Sequence, residues 1–253
     1  MAACSPDALQ PPAAARPPDL GGVVPAPVAP FAPSGTTGME LAHRYLAPAL
    51  LGLLRATVTG QGNVPGDGGV LLAANHRSFL DHFLLGSACP RATRFLGKRE
   101  LSTGLAGRFN VLMGMVPVDR GTADRDALAI VAALLRQGQV VGIFPEGTRS
   151  PTGALYRFRS GMARIAADAG CPIVPVGLVG TCEVWPRGEG PRLRPVRRGT
   201  LHVRFGEVVQ PPRPDPRSRR AATVAVHAAV AALCEQPLAA GFAPVARSGL
   251  DLP

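Results

Sequence analysis

The chain has 253 residues, a hydrophobic fraction of 46% and a net charge of +10. This length allows one domain with a substantial core, and the charge favours phosphate-rich partners such as nucleic acid, anionic lipid or phosphorylated small molecules. The five cysteines form no CxxC pair, which argues against a zinc site or a disulfide framework and fits a reducing, cytosolic setting.

The two ends of the chain differ from its middle in composition. Residues 1–38 are dominated by Pro and Ala, and we predict that they are disordered because they have too few large apolar residues to bury. They also lack a basic segment followed by an apolar one, so we expect no ordinary signal peptide. Residues 39–236 form the predicted domain, and residues 237–253 form a predicted C-terminal tail.

Residues 40–58 carry leucines at helical spacing. The longest uncharged stretch, Tyr45 to Leu54, has ten residues, whereas a helix that crosses a membrane needs about 20. Pro48 is expected to kink this helix or to start a second one. Two interpretations remain open: a helix packed on the core, or a helix that lies on a bilayer surface.

Strands and helices alternate through most of the remaining chain. The predicted strands are 70–74, 93–97, 115–118, 140–144, 173–179 and 200–205, and the predicted helices are 79–88, 101–113, 123–137, 158–169 and 217–235. This alternation predicts a layered α/β fold in which a mostly parallel or mixed central sheet is flanked by helices. Ligands in such folds bind beyond the strand ends.

Three polar clusters directly follow predicted strands, at residues 75–81, 119–121 and 145–150. In the first cluster, His76 and Asp81 can meet if His76 lies just before the helix and Asp81 lies in its first turn. A carboxylate on one imidazole nitrogen fixes the tautomer and leaves the other nitrogen free as a base. The alternative is a capping histidine and an aspartate that complements the helix dipole.

The other two clusters carry arginines suited to phosphate. Gly147 allows the backbone to approach a ligand, and Arg149 offers a planar fork of donors. The alternative is a surface loop with an internal Glu146–Arg149 pair, and Arg120 in the 119–121 cluster is equally ambiguous. The chain has neither a Gly-rich P-loop nor a GxSxG elbow. What remains is a histidine base with arginines for a phosphate, which suits direct group transfer onto a hydroxyl of a phosphorylated acceptor.

Residues 75–81 resemble the first motif, H-x4-D, of the glycerolipid acyltransferases, most closely those that act on 1-acylglycerol-3-phosphate (lysophosphatidic acid). Residues 116–121, 144–150 and 174–177 resemble the second, third and fourth motifs, in family order. The resemblance implies a glycerol-3-phosphate acyltransferase-like fold. It also implies that a fatty acyl group moves from acyl-CoA or acyl carrier protein to the free hydroxyl of 1-acylglycerol-3-phosphate, which makes phosphatidic acid. It implies no metal and no other cofactor.

The resemblance also implies roles for individual residues. His76 would be the base and Asp81 would orient it. The implied substrate-binding residues are Asn75, Ser78, Lys98, Arg120, Gly121, Glu146, Gly147, Thr148 and Arg149. Lys98 is the only lysine among the 27 Lys and Arg residues, and we assign it a phosphate contact. The expected partners are the lysophospholipid, the acyl donor and an anionic membrane surface, with no nucleic acid, at the cytoplasmic, inner face of the cell membrane.

Two other functions remain open. The acceptor can be another lysolipid or glycerol-type molecule, such as a lyso-ornithine lipid or dihydroxyacetone phosphate, although the arginines fit a phosphate-free head group less well. Alternatively, the chain is a non-catalytic protein that binds anionic lipid or another polyanion, which the arginines between residues 187 and 220 favour. Single-strand nucleic-acid binders usually interleave stacking aromatics with cations, and this segment has few.

Overall fold

The computed structural model describes residues 37–118, 124–192 and 195–244. Within these residues the strands are β1 (Thr57–Thr59), β2 (Val70–Ala74), β3 (Thr93–Lys98), β4 (Met115–Val118), β5 (Val140–Ile143), β6 (Ile173–Val179) and β7 (His202–Phe205). The helices are α1 (Thr37–Leu53), α2 (Leu80–Ala88), α3 (Gly104–Leu112), α4 (Asp124–Arg136), α5 (Gly161–Ala169), α6 (Thr181–Val184) and α7 (Pro216–Cys234).

The strands form one sheet with the order β1-β7-β6-β2-β5-β3-β4. All neighbouring pairs are parallel except β6 and β7, which are antiparallel. The predicted mixed, mostly parallel α/β sheet is therefore confirmed. Because β2 to β6 run in the same direction, the turns that follow β2 and β5 leave the sheet at the same edge.

Strand β2 lies in the middle of the sheet, and all five of its residues are buried. Val70, Leu72 and Ala74 belong to one core cluster, which includes Leu84 and Leu85 of α2, whereas Leu71 and Ala73 belong to a second cluster with residues of α4, α5 and α7. The alternation of side chains along a strand explains this division. A continuous apolar run is typical of a parallel strand that is covered on both faces.

Some boundaries differ from the sequence prediction for identifiable reasons. The predicted 101–113 helix is divided into a 3-10 turn (Arg99–Ser102) and α3, and Gly104 has a left-handed φ of 67° at the junction. Helix α5 begins at Gly161 rather than at 158, and the backbone N–H groups of Arg157 and Arg159 before it donate to Gly241 and Pro145. Strand β1 and helix α6 were too short to give a periodic signal in the sequence.

Helix α1 continues through Pro48 to Leu53 as one helix, so no second helix starts at Pro48. Its two sides differ. Ala42 and Ala47 are buried on the domain, whereas an outer row is exposed and includes Leu41, Tyr45, Leu46 and Leu53. The helix therefore packs on the core with one side and presents apolar side chains to the exterior with the other. Among the described residues, no helix combines the length and the apolar character needed to cross a bilayer.

Several predictions lie outside the described residues: the N-terminal segment up to residue 36, the 119–123 segment with Arg120 and Gly121, and the tail from 245 onward. The described part of the predicted tail, residues 237–244, runs along the segment that precedes α5. Leu155 N–H donates to the Pro237 carbonyl at 2.8 Å, and Ala239 N–H donates to the Leu155 carbonyl at 2.9 Å. This part of the tail is thus attached to the domain.

Candidate active site

The turn between β2 and α2 brings His76 and Asp81 into contact. Asp81 lies in the first turn of α2 and is fully buried. Its Oδ2 atom is 2.8 Å from His76 Nδ1 and also accepts the backbone N–H groups of Arg77 and Ser78, each at 2.7 Å. One carboxylate oxygen thus closes the turn and holds the imidazole, as a side chain at a helix start can do.

The protonation state of Asp81 decides which nitrogen of His76 carries the proton. Burial alone would raise the pKa of Asp81, but the hydrogen bond and charge of His76, with smaller contributions from Thr181 and Ser78, outweigh it and hold the pKa below its ordinary 3.8. An ionised carboxylate can only accept, so Nδ1 of His76 carries hydrogen and donates to Asp81. The other nitrogen, Nε2, keeps its lone pair, which is the arrangement that a general base requires.

Aromatic side chains hold the His76 ring from two sides. The Phe144 ring stacks on it with the centroids 4.0 Å apart, and the His82 ring meets it edge-on at 5.2 Å. Burial, reinforced by the nearby His76, lowers the pKa of His82 to about 4. His82 is therefore neutral at physiological pH and places no positive charge beside His76.

Glu146 lies beneath the site rather than facing it. Its side chain is fully buried, and its two oxygens accept the backbone N–H of His76 at 2.8 Å and that of Tyr156 at 2.9 Å. This differs from the predicted substrate contact, because a buried carboxylate with both oxygens engaged offers no surface to a ligand. Its position instead fixes the backbone at His76. Burial raises the pKa of Glu146 to about 7.

Asn75 and Ser78 also differ from their predicted substrate contacts, because both are buried and bonded within the protein. Asn75 exchanges two hydrogen bonds with the backbone of Leu178 on β6, at 2.7 and 2.8 Å, and donates to Gln236 at 2.6 Å. Ser78 donates to the Trp185 carbonyl at 2.6 Å. These side chains attach the turn to β6, to the end of α7 and to the segment after α6.

The raised pKa of Glu146 predicts a pH-dependent stability. For an acid whose pKa is higher in the folded state, the folded protein holds the proton more tightly, so its contribution is present at low pH and is lost as pH rises from about 4.5 to about 7. The stability advantage of the wild type over Glu146→Gln should therefore shrink across this window, as measured by urea melts. Glu183→Gln, at an exposed position, is the control. An advantage that grows with pH would contradict this account.

The loop after β5 presents the remaining residues of the third cluster. Gly147 is exposed with a φ of 81°, and Thr148 and Arg149 are partly exposed. Burial lowers the pKa of Arg149, the positive charge of Arg187 lowers it further, and Asp81 opposes both. Arg149 thus lies within electrostatic reach of Asp81 and of a second arginine. Among the described residues, neither arginine has a carboxylate in salt-bridge contact.

Arg187 was noted in the sequence only among the arginines between residues 187 and 220 and was not assigned to this site, because it lies more than 100 residues after His76. That loop is tied to the β2–α2 turn by the Ser78–Trp185 hydrogen bond, and the Phe79 and Trp185 rings lie 5.0 Å apart. Gln236 was also missed. Neither position carries a local sequence signal, so only the tertiary structure shows that both belong to the site region.

Lys98 lies exposed at the end of β3, two strands away from β2 in the sheet. It shares the sheet edge of His76 and Arg149, without a hydrogen bond to either among the described residues. Arg120 and Gly121 lie outside those residues. Within the described ranges, no group of three or more His, Cys, Asp and Glu side chains is placed to hold a metal ion.

Comparison with known proteins places these motifs in a family. The sequence profile of the family described as "Acyltransferase" matches residues 55–179. A 1-acyl-sn-glycerol-3-phosphate acyltransferase of Bacillus subtilis (strain 168) is 31% identical over 156 residues, which are 58% of this chain and 77% of that protein. A chloroplastic 1-acyl-sn-glycerol-3-phosphate acyltransferase of Brassica napus is 32% identical over 153 residues, 59% of this chain.

The match spans 44% of the length of the Brassica napus protein, so this chain corresponds to less than half of that relative. Among solved structures, the 1-acyl-sn-glycerophosphate acyltransferase PlsC from Thermotoga maritima superposes with a TM-score of 0.59 at 24% identity. The superposition covers 78% of this chain and 84% of that one. At this level of identity the likeness establishes the shared α/β fold.

Proposed function

This chain belongs to the acyltransferase family, and from that premise we propose that it transfers a fatty acyl group from a thioester to the free hydroxyl of 1-acylglycerol-3-phosphate. The observation that carries the proposal is the His76–Asp81 pair, in which Nδ1 is bound at 2.8 Å and Nε2 is left with its lone pair. The product is phosphatidic acid. The donor is acyl-CoA or acyl carrier protein, and no other cofactor takes part.

In the proposed reaction, Nε2 of His76 takes the proton of the acceptor hydroxyl as its oxygen attacks the thioester carbonyl. Asp81 stabilises the resulting imidazolium, and this requires the ionised carboxylate that its lowered pKa supports. The tetrahedral intermediate collapses, the carbon–sulfur bond breaks, and the leaving thiolate receives the proton from His76. The acyl group moves directly from the thioester to the hydroxyl, so no nucleophile from the protein takes part.

Arg149 and Arg187 form the proposed phosphate site. Burial lowers the pKa of Arg149 most, and repulsion by the Arg187 charge lowers it further. An anion placed between the two arginines would relieve that repulsion. Both belong to loops fixed next to His76: Arg149 follows Glu146, which binds His76 N–H, and Arg187 follows Trp185, which accepts from Ser78. A phosphate held here would bring the acceptor's glycerol hydroxyl toward His76.

We expect that Arg149→Ala and Arg187→Ala each weaken the use of 1-acylglycerol-3-phosphate by about tenfold or more, since each removes a charge-assisted contact. Arg149→Lys should rescue only partly, because lysine lacks the planar fork. The measurement is kcat/KM for the phosphorylated acceptor relative to phosphate-free 1-acylglycerol. Arg197→Ala, an exposed arginine elsewhere in the chain, is the control. An unchanged ratio in both variants would refute the phosphate site.

The acceptor itself is tested by a panel on the wild-type protein, with thiol release as the readout. The panel contains 1-acylglycerol-3-phosphate, dihydroxyacetone phosphate, lyso-ornithine lipid and 1-acylglycerol, each with acyl-CoA and with acyl carrier protein. The proposal expects the highest kcat/KM for 1-acylglycerol-3-phosphate. If the protein prefers the lyso-ornithine lipid, the proposed acceptor is wrong and the acyl-transfer reaction still holds. If it binds anionic lipid and releases no thiol with any acceptor, the non-catalytic alternative is favoured.

We also propose that the protein works as a peripheral protein on the cytoplasmic face of the cell membrane. Helices α1 and α3 contact each other and expose most of the large apolar side chains of the described residues: Leu41, Tyr45, Leu46 and Leu53 on α1, and Leu105, Phe109 and Leu112 on α3. We call this surface the α1–α3 apolar face. Arg44 and Arg55 are exposed beside it. Apolar side chains with flanking cations suit a helix that lies in an anionic interface.

Leu46→Gln/Leu53→Gln should weaken binding to anionic vesicles at low salt with little change in thermal stability, because both side chains are exposed, at 43% and 77%. Leu50→Gln should instead lower the melting temperature, because Leu50 packs against the core. Wild-type binding should also fall as salt screens the charge. Co-sedimentation with vesicles and thermal melts measure these effects, with Leu238→Gln as an exposed control. Unaltered vesicle binding by Leu46→Gln/Leu53→Gln would show that the α1–α3 apolar face does not bind the membrane.

A further inference from the structure

A cavity of about 810 Å³ lies on the sheet face that α5 and α7 cover, away from the His76 ring. Arg157, Arg164, Arg219 and Arg220 contribute to its walls, and none of the described residues that line it is acidic. Arg164 pairs loosely with the exposed Asp168 at 3.7 Å. The other arginines have no carboxylate partner among the described residues. We call this space the α5–α7 cavity.

The helix geometry adds to the positive potential of the α5–α7 cavity. Ser160 and Gly161 at the start of α5 line it, as does Pro216 at the start of α7. Ser160 makes no side-chain capping bond, so the first N–H groups of α5 keep capacity for an anion. Helix N-termini carry partial positive charge. The start of α7 is already capped by Asp215, which accepts the Ser218 N–H. Four arginines and the uncapped start of α5 around one space favour a ligand with several negative charges.

The cavity also has an aromatic wall. Phe242 is 54% exposed, and the guanidinium carbon of Arg157 lies 5.5 Å from its ring centroid. Leu128 and Val224 extend the apolar surface. A half-exposed aromatic ring next to arginines offers a stacking surface for a planar base and donors for phosphates. The volume exceeds that of a single phosphate, so the lining suits a nucleotide better than an inorganic anion.

The α5–α7 cavity is linked to the proposed reaction centre through the hydrogen bonds of Glu146. Glu146 bonds to the N–H of His76 with one oxygen and to the N–H of Tyr156 with the other, and Tyr156 immediately precedes Arg157 in the cavity wall. A ligand of this cavity that also reaches His76 must have its reactive end separated from its phosphates by a long flexible arm. The nucleotide end of coenzyme A has this form: adenine, a 3′-phosphate, a diphosphate and a pantetheine arm that ends in the thioester.

We propose that the α5–α7 cavity binds the phosphorylated nucleotide of an acyl-CoA donor. The inference rests on the proposed function and selects acyl-CoA over acyl carrier protein, whose prosthetic arm carries no adenosine. Arg219 and Arg220 near the start of α7 hold the phosphates, and Phe242 packs against the adenine. The site is separate from Arg149 and Arg187, which bind the acceptor.

The test is calorimetric titration of the full chain with CoA, 3′-dephospho-CoA, pantetheine and inorganic phosphate. We expect CoA to bind most tightly and pantetheine least. Arg219→Ala/Arg220→Ala should weaken CoA binding by about tenfold or more, since it removes two charge-assisted contacts. Arg197→Ala/Arg198→Ala removes two exposed cations elsewhere and should leave binding within about twofold. In acyl-transfer assays, Arg219→Ala/Arg220→Ala should raise KM for acyl-CoA and leave KM for the acceptor unchanged.

Each outcome of this test is decisive. If the two double variants bind CoA with equal affinity, the α5–α7 cavity is not the nucleotide site. Equal affinity of the wild type for CoA and pantetheine would refute the site as well. Transfer from acyl carrier protein but not from acyl-CoA would overturn the inference and leave the proposed function intact. CoA binding that depends on Arg219 and Arg220, with no transfer to any acceptor, would retain the nucleotide site and remove the proposed function.

Discussion

His76→Ala is expected to lower acyl transfer by ~10² to 10⁴-fold, the usual loss when a general base is removed. The reason is specific to this geometry: Nε2 is the nitrogen left with a lone pair once Nδ1 donates to Asp81. The fold should survive, because the backbone N–H and carbonyl of His76, which bind Glu146 and Ser150, are retained in the variant. Steady-state kinetics and a thermal melt on the same preparation measure both effects.

His202→Ala is the matched control for this variant, since His202 lies on β7 and its ring bonds only to the Gly199 carbonyl among the described residues. It should keep near-normal kcat. Turnover near the wild-type rate by folded His76→Ala protein would show that another group takes the proton, and His82, whose ring lies beside His76, would then be the first residue to replace.

Asp81→Asn should cost about 10²-fold or more in kcat. The asparagine oxygen can accept the same three hydrogens that Oδ2 accepts, so the turn should persist. What is lost is the negative charge that stabilises the imidazolium during transfer. The loss should therefore appear mainly in kcat, with a much smaller change in KM for the acceptor.

Asp67→Asn, at an exposed position before the start of β2 and thus at the opposite end of that strand from His76, is the control for this change and should leave kcat within about twofold of wild type. Thermal melts separate a chemical effect from a folding effect. If Asp81→Asn turned over normally while folded, the carboxylate would serve only to close the turn, and the assignment of His76 as a base oriented by Asp81 would lose its support.

The contact between His76 and Asp81 could be predicted from sequence because it is local. Both residues lie within one strand–turn–helix unit, and the apolar run that ends at Ala74 fixes where the turn begins. Arg149 was found for a similar reason, since it directly follows a buried strand. Alternating strands and helices likewise predicted the α/β sheet, since each apolar run marks a strand covered on both faces.

Where the structure differs from the predicted site, the difference lies in the direction of the side chains and not in their position along the chain. Asn75, Ser78 and Glu146 lie in the predicted clusters, but their side chains point into the protein and bind its backbone. A motif gives the place of a polar residue in the chain but not the side of the turn that it occupies. The Arg187 loop is placed by the Ser78–Trp185 contact and Gln236 by its bond to Asn75, and both contacts span more than 100 residues, which no local pattern encodes.

The most direct measurement of the central claim is the conversion of 1-acylglycerol-3-phosphate and an acyl thioester to phosphatidic acid by the purified full chain. Mass spectrometry identifies the product, and wild type and His76→Ala are assayed side by side. The account predicts stoichiometric phosphatidic acid and free thiol from wild type, and a rate at least ~10²-fold lower from the variant. Equal rates from the two folded proteins, or no product from folded wild type with either acyl-CoA or acyl carrier protein, would contradict it.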